Sequence, residues 1–117
     1  MAKIVHRREG VIVGEYPLKK GRIMIGRRPE CEICIDDITV SGNHASVTVK
    51  PSDYMEGLND IVIEDQGSTN GTIVNGRNIK RHFFKHGEIA FIGTHELTLI
   101  DEKTQAFETT QVILPDH

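Results

Sequence analysis

Residues 38 to 50 read ITVSGNHASVTVK, a cluster of small polar residues that runs straight into a strictly alternating segment. Val47 and Val49 alternate with Ser46, Thr48 and Lys50, the pattern of a strand with one buried face. The alternation returns in EIAFI (Glu88 to Ile92) and ELTLI (Glu96 to Ile100). Further short Val/Ile-rich segments run over 3–8, 11–18, 22–26, 33–35, 60–65 and 72–74, nearly all separated by turn residues. No segment sustains an amphipathic helical period, and no internal repeat is visible. Many short strands with frequent turns and no helices predict an all-β chain, an antiparallel β-sandwich of two sheets with about 10 to 11 strands.

At 117 residues the chain is expected to form one domain, residues 1–100, followed by an acidic C-terminal tail, residues 101–117. With 38% hydrophobic and 26% charged residues it has a globular composition. No apolar run is long enough to span a bilayer, the N-terminal residues lack the apolar stretch of a secretory signal, and two cysteines make no disulfide framework. The expected compartment is the cytoplasm, with no membrane partner. The formal net charge of −3 belongs entirely to the tail, where Asp101, Glu102, Glu108 and Asp116 oppose only Lys103. The body is neutral, although Lys19, Lys20, Arg22, Arg27 and Arg28 form one basic window and Arg77, Lys80, Arg81 and Lys85 another. A nucleic-acid footprint needs a clearly basic total, so no nucleic-acid partner is expected.

Two breaks between strands, Ser41 to Asn43 and Gly67 to Gly76, hold more Gly, Asn and Ser than a turn requires. If residues 22–26 form a strand, the basic turn at Lys19 and Lys20 and the side chain of Arg27 lie at its opposite ends, roughly 16 Å apart at ~3.3 Å per residue. They cannot serve one small site. Arg27, Ser41, Thr69, Asn70 and Asn75, by contrast, sit on breaks that can meet at one end of the sandwich. Together they would offer a forked cation, two hydroxyls, two amides and the N–H groups of glycine-rich turns. Such donors suit a phosphoryl group, and none of them is a general base.

Gly26-Arg27, then Ser41-Gly42-Asn43-His44-Ala45, then Gly67-Ser68-Thr69-Asn70-Gly71-Thr72, then Asn75-Gly76 resemble, in order and spacing, the motif series of the forkhead-associated (FHA) domains. The likeness covers about residues 4–100. It implies an eleven-stranded sandwich with its binding loops at one end that recognises phosphothreonine peptides and catalyses nothing. The implied partner is a phosphothreonine-containing protein in a Ser/Thr protein kinase pathway, with no cofactor and no metal. Residue by residue, the resemblance assigns Arg27 and Ser41 to the phosphate and Thr69 to the border of the pocket for the phosphothreonine methyl. Asn70 and Asn75 would face peptide or loop backbone. His44 would order the loops, Gly26 would permit close approach beside Arg27, and Gly71 and Gly76 would shape turns.

The pattern departs at Gly42, where the family often carries Arg, Lys or Asn. Either phosphate affinity falls, or Arg28 or another basic residue substitutes. The alternative function is a phosphate-independent scaffold, a β-sandwich whose pocket has drifted.

Three other patterns bear on catalytic or metal chemistry. Cys31-Glu32-Ile33-Cys34 is a C-x-x-C without a second pair or a thioredoxin-like surrounding. His82 and His86 have the spacing of helical metal ligands but lead into a strand, so loop histidines are expected. Ser41 and His44 lack an orienting acid and a nucleophile elbow, which argues against a hydrolase. In the tail, Thr110 with Ile113 three residues beyond resembles a ligand of the same family. Thr110 is therefore a candidate phosphosite, through which the chain could associate with itself.

Overall fold

The computed structural model describes residues 2–53 and 57–101. Eleven strands follow in order: β1 (Ala2–Arg8), β2 (Val11–Pro17), β3 (Gly21–Gly26), β4 (Ile33–Cys34), β5 (Ala45–Pro51), β6 (Asn59–Asp65), β7 (Ile73–Val74), β8 (Arg77–Asn78), β9 (Arg81–Phe83), β10 (Ile89–Ile92) and β11 (His95–Asp101). They form a six-stranded sheet, β2-β1-β11-β10-β7-β8, and a five-stranded sheet, β4-β3-β5-β6-β9. No helix occurs among the described residues, and hence none long and apolar enough to cross a membrane.

The alternation noted in the sequence works as expected at the core. Val47 of β5, Ile63 of β6 and Leu97 and Leu99 of β11 are fully buried, together with Ile4, Ile25 and Ile92. Each such side chain contributes roughly 1.5–3 kcal/mol of transfer free energy. Strand β2 behaves differently. It is the open edge of the six-stranded sheet, and Val11, Ile12 and Val13 all remain exposed there.

Two details correct the sequence reading. The β3–β4 pair is parallel, with Ile25 opposite Ile33 and Gly26 opposite Cys34; every other pair is antiparallel. The segment around Arg81 is a strand, so His82 lies on β9 and not in a loop. Strands of two or three residues, such as β8 and β9, are too short to display an alternation. The sandwich extends to Asp101, paired with Ala2, and the rest of the proposed tail lies outside the described residues.

The register positions the loops. Ile25 pairs with Ala45 and Ala45 with Asp65, so β3 ends, β5 begins and β6 ends at one edge of the sandwich. The ladder carries on for one more rung through His44 N–H to Ile25 C=O and Gln66 N–H to His44 C=O, both 2.9 Å. Beyond it the chain enters the β3–β4 loop with Arg27, the β4–β5 loop with Ser41 and the β6–β7 loop with Thr69.

Candidate functional site

Gly26, the last residue of β3, is where the first two loops touch. A Cβ placed on it would lie 2.1 Å from the carbonyl oxygen of Gly42, so only glycine fits. Just past this contact the Arg27 N–H donates to Ser41 C=O at 3.0 Å and the Arg28 N–H to Gly42 C=O at 3.2 Å. Arg27 is thereby pinned by its backbone, while its side chain stays exposed and forms no ion pair among the described residues.

His44 is fully buried and ties the other loops together. Its Nδ1 accepts the Ser41 N–H at 3.1 Å, which leaves Nε2 to carry the ring proton and donate to Gly71 C=O at 2.8 Å. The Ser41 Oγ in turn accepts the Thr69 N–H at 3.0 Å, and the Asn70 Nδ2 donates to Thr39 C=O at 2.9 Å. The structure therefore brings Arg27, Ser41, Thr69 and Asn70 into one loop cluster and uses His44 as an ordering group inside it. Gly71, held at φ +85°, turns the chain out of the cluster.

Asn75 lies elsewhere. With Gly76 it forms the β7–β8 turn at φ 54° and 77°, a pair of left-handed residues typical of a two-residue hairpin. Its Nδ2 donates to the Glu88 carboxylate at 2.7 Å, not to a loop carbonyl. The reason is topological: β7 carries the chain away from the loop cluster before the turn is made.

Three carboxylates that the sequence reading passed over hold the loops. Partial burial pushes the Asp65 carboxyl up, but hydrogen bonds from the hydroxyls of Ser68 and Thr72 and the N–H groups of Ser68 and Gly67 outweigh it and hold the group below the usual carboxylate range. The signal was available in Asp65-Gln66-Gly67-Ser68, since an Asp two residues before Gly is a turn-forming pattern. Asp37 accepts the N–H and hydroxyl of Thr39 at one oxygen and the His95 Nε2–H at the other, which keeps its carboxyl well below its ordinary range. His95 Nδ1 meets His6 Nε2 at 2.8 Å, so a buried chain of two imidazoles ties the Thr39 turn to β1 and β11. Glu88, also pushed up by burial, is held low overall by Asn75, the Lys85 N–H and His82.

The remaining patterns resolve into local contacts. Burial pushes the Cys31 thiol up, and its Sγ donates to Gly42 C=O at 3.4 Å; the exposed Cys34 donates to Arg27 C=O at 3.6 Å. His82 meets Glu88 at 3.0 Å, while His86 Nδ1 accepts the Asp101 N–H at 3.0 Å. Among the described residues no three His, Cys, Asp or Glu side chains converge as metal ligands.

The FHA domain family model matches residues 23–93, more than half of the chain. An ABC transporter ATP-binding/permease protein of Mycobacterium tuberculosis is 32% identical over 101 residues, which cover 86% of this chain and 10% of that protein. The crystal structure of the FHA domain of the CT664 protein from Chlamydia trachomatis superposes with a TM-score of 0.73 at 27% identity, covering 86% of this chain and 96% of that one. Mycobacterium tuberculosis EmbR in complex with a low-affinity phosphopeptide superposes with a TM-score of 0.69 at 28% identity, covering 85% of this chain and 24% of that one. The matched segment makes up less than half the length of the first curated relatives. With glycine-supported loops, a buried ordering histidine and this match in hand, the chain belongs to the FHA domain family.

Proposed function

We propose that this chain is a non-catalytic module that reads phosphothreonine on a partner protein modified by a Ser/Thr kinase. The observation that carries it is the Ser41 hydroxyl. Because Oγ accepts the Thr69 N–H, its own proton remains available to donate to a ligand, on the same rim as the exposed guanidinium of Arg27, which forms no ion pair among the described residues. A phosphoryl group set between them meets a bidentate cation and a hydroxyl donor that the fold has pre-positioned. Thr69 borders this position and supplies the apolar contact for the threonine methyl, while Asn70, braced on Thr39 C=O, faces the peptide. The EmbR complex supports the class of ligand, since its phosphopeptide is bound by a protein containing the same fold.

No residue of the cluster is placed as a nucleophile with a base. The His44 nitrogens are both engaged with backbone, so the ring cannot take a proton from Ser41 Oγ. The test is calorimetric titration with matched peptides carrying phosphothreonine, phosphoserine or threonine. Binding of the first at least about tenfold tighter than of the others, near the micromolar scale, is expected from a few charge-assisted hydrogen bonds partly offset by ordering. Equal binding of the phosphothreonine and threonine peptides would establish the phosphate-independent scaffold instead. Thr110, which lies outside the described residues, is proposed as a phosphosite that this same pocket reads in a second copy.

A further inference from the structure

Gly42 poses a question that its backbone does not answer. Its φ is outside the left-handed region, where several other glycines of this chain lie, so the conformation itself accepts any residue. What a side chain there would meet is the stem of Arg28, which would have to shift. A Cβ on Gly42 would lie 2.9 Å from Arg28 Nε, 3.3 Å from its Cγ and 3.5 Å from its Cδ. The arginine stem thus runs across the bare Gly42 backbone, on the residue next to Ser41. Both ends of this contact are fixed, because Arg28 N–H also donates to Gly42 C=O. Arg28 is exposed and forms no ion pair among the described residues.

We infer that Arg28 is the second cation of the phosphate site, laid across Gly42 in the space that a side chain at position 42 would occupy. The inference rests on the phosphothreonine reading above. A phosphomonoester carries about −1.5 to −2 charges near neutral pH, more than Arg27 alone can balance. A second guanidinium beside Ser41 supplies the missing charge and further donors. The same stem packs over Gly42 and limits the freedom that a glycine brings to the loop, lowering the ordering cost of binding. Glycine at 42 and arginine at 28 are on this view one device, and the loss of a donor at 42 is offset from the neighbouring loop.

The probes are blocked N-acetyl-phosphothreonine methylamide and a peptide selected by the wild-type chain from a degenerate phosphothreonine library. Arginine Nε–H resonances are followed by NMR with the first, and affinity with the second is measured calorimetrically at several salt concentrations. Both Arg27 and Arg28 resonances are expected to move with the blocked amino acid, which has no flanking residues that could account for the shift. Arg28→Ala is expected to weaken the peptide about tenfold and flatten the salt dependence, with Arg28→Lys intermediate. Gly42→Ala, which displaces the stem, is expected to cost a similar factor, and the double variant no more than either alone. Arg28→Ala within about twofold of wild type, while Arg27→Ala abolishes binding, would overturn this inference and leave the phosphothreonine reading intact. A wild-type chain that selects no phosphothreonine peptide would overturn both. Because Arg28 is exposed, its variants keep the fold, as an unchanged melting temperature would verify.

Discussion

Ser41 Oγ accepts the backbone N–H of Thr69 at 3.0 Å, across a sequence separation of 28 residues. This single bond fixes the hydroxyl of one loop against the backbone of another, so the two cannot move independently of each other. It also makes the effects of substituting Ser41 and Arg27 differ. Arg27→Ala removes an exposed side chain and is expected to abolish most phosphopeptide binding with the melting temperature little changed. Ser41→Ala is expected to lose as much affinity and, in addition, about 1 kcal/mol of stability through the orphaned Thr69 N–H. Arg27→Lys is expected to recover only part of the affinity, because a point charge lacks the planar fork. Calorimetry and thermal melts on the three variants check the pattern; wild-type affinity in Arg27→Ala would place the phosphate elsewhere.

Gly26→Ala tests whether loop contact and binding are coupled. The added methyl would sit 2.1 Å from Gly42 C=O, and that atom belongs to backbone that cannot swing aside. The expected result is a loss of roughly 1–3 kcal/mol of stability, in the range of overpacked interiors. Phosphopeptide affinity should fall with it, since the displaced segment is the one that presents Ser41. A variant with normal affinity and normal stability would show that the loops tolerate separation.

The legibility of this chain follows from where its information is local. Strands such as β5 and β11 declare themselves because Val47, Val49, Leu97 and Leu99 alternate over seven residues. Strands β8 and β9 do not, since two or three residues show no period; β9 exists because Val62 and Ile63 of β6 offer partners to Phe83 and His82, and β8 because Ile73 and Val74 of β7 pair with Asn78 and Arg77. Arg27, Ser41 and Thr69 could be grouped by the motif series and by strand direction. What the sequence hid was the long-range bracing: Asp37 with His95 is a 58-residue separation, and Asn75 with Glu88 joins a turn to a loop that no pattern links. Gly42 was visible as a departure, but Arg28's position over it was not.

The buried imidazole pair gives a pH signature in stability. Burial and then the neighbouring His95 hold the His6 pKa below its ordinary value. The unfolded chain therefore takes up a proton on His6 as pH falls through about 6.5, before the folded chain does. Stability is complete above that pH and declines below it until the folded pKa is passed, by up to ~1.4 kcal/mol per pH unit. Arg8 and Asp37 face the same cluster, Arg8 Nη2 lying 3.9 Å from Asp37 Oδ2. Asp37 stays ionised throughout this window and so adds no slope of its own. Denaturant melts between pH 7.5 and 5.5 are expected to show the decline in wild type and a shallower one in His6→Gln; parallel slopes would remove His6 as its origin.

The topology decides whether a phosphorylated Thr110 can reach the pocket of its own chain. Asp101 ends β11 opposite Ala2, at the end of the sandwich where β5 and β6 meet through Pro51 and Asn59. The loop cluster lies at the other end of β5, where Ala45 begins the strand. The six steps from Ala45 to Pro51 cover about 20 Å at ~3.3 Å per residue, and the stacked sheets add ~10 Å of breadth. Nine residues from Asp101 reach Thr110 with at most ~30 Å of fully extended chain, leaving no slack to round the sandwich and enter the pocket. Docking of a phosphorylated Thr110 is thus expected between copies, head to tail, and not within one. The chain phosphorylated stoichiometrically at Thr110 should show a concentration-dependent rise in light-scattering mass, absent in the unphosphorylated chain and in phosphorylated Arg27→Ala. A phosphorylated chain that remains monomeric at high concentration while its pocket still accepts added phosphothreonine peptide would rule out association through this route.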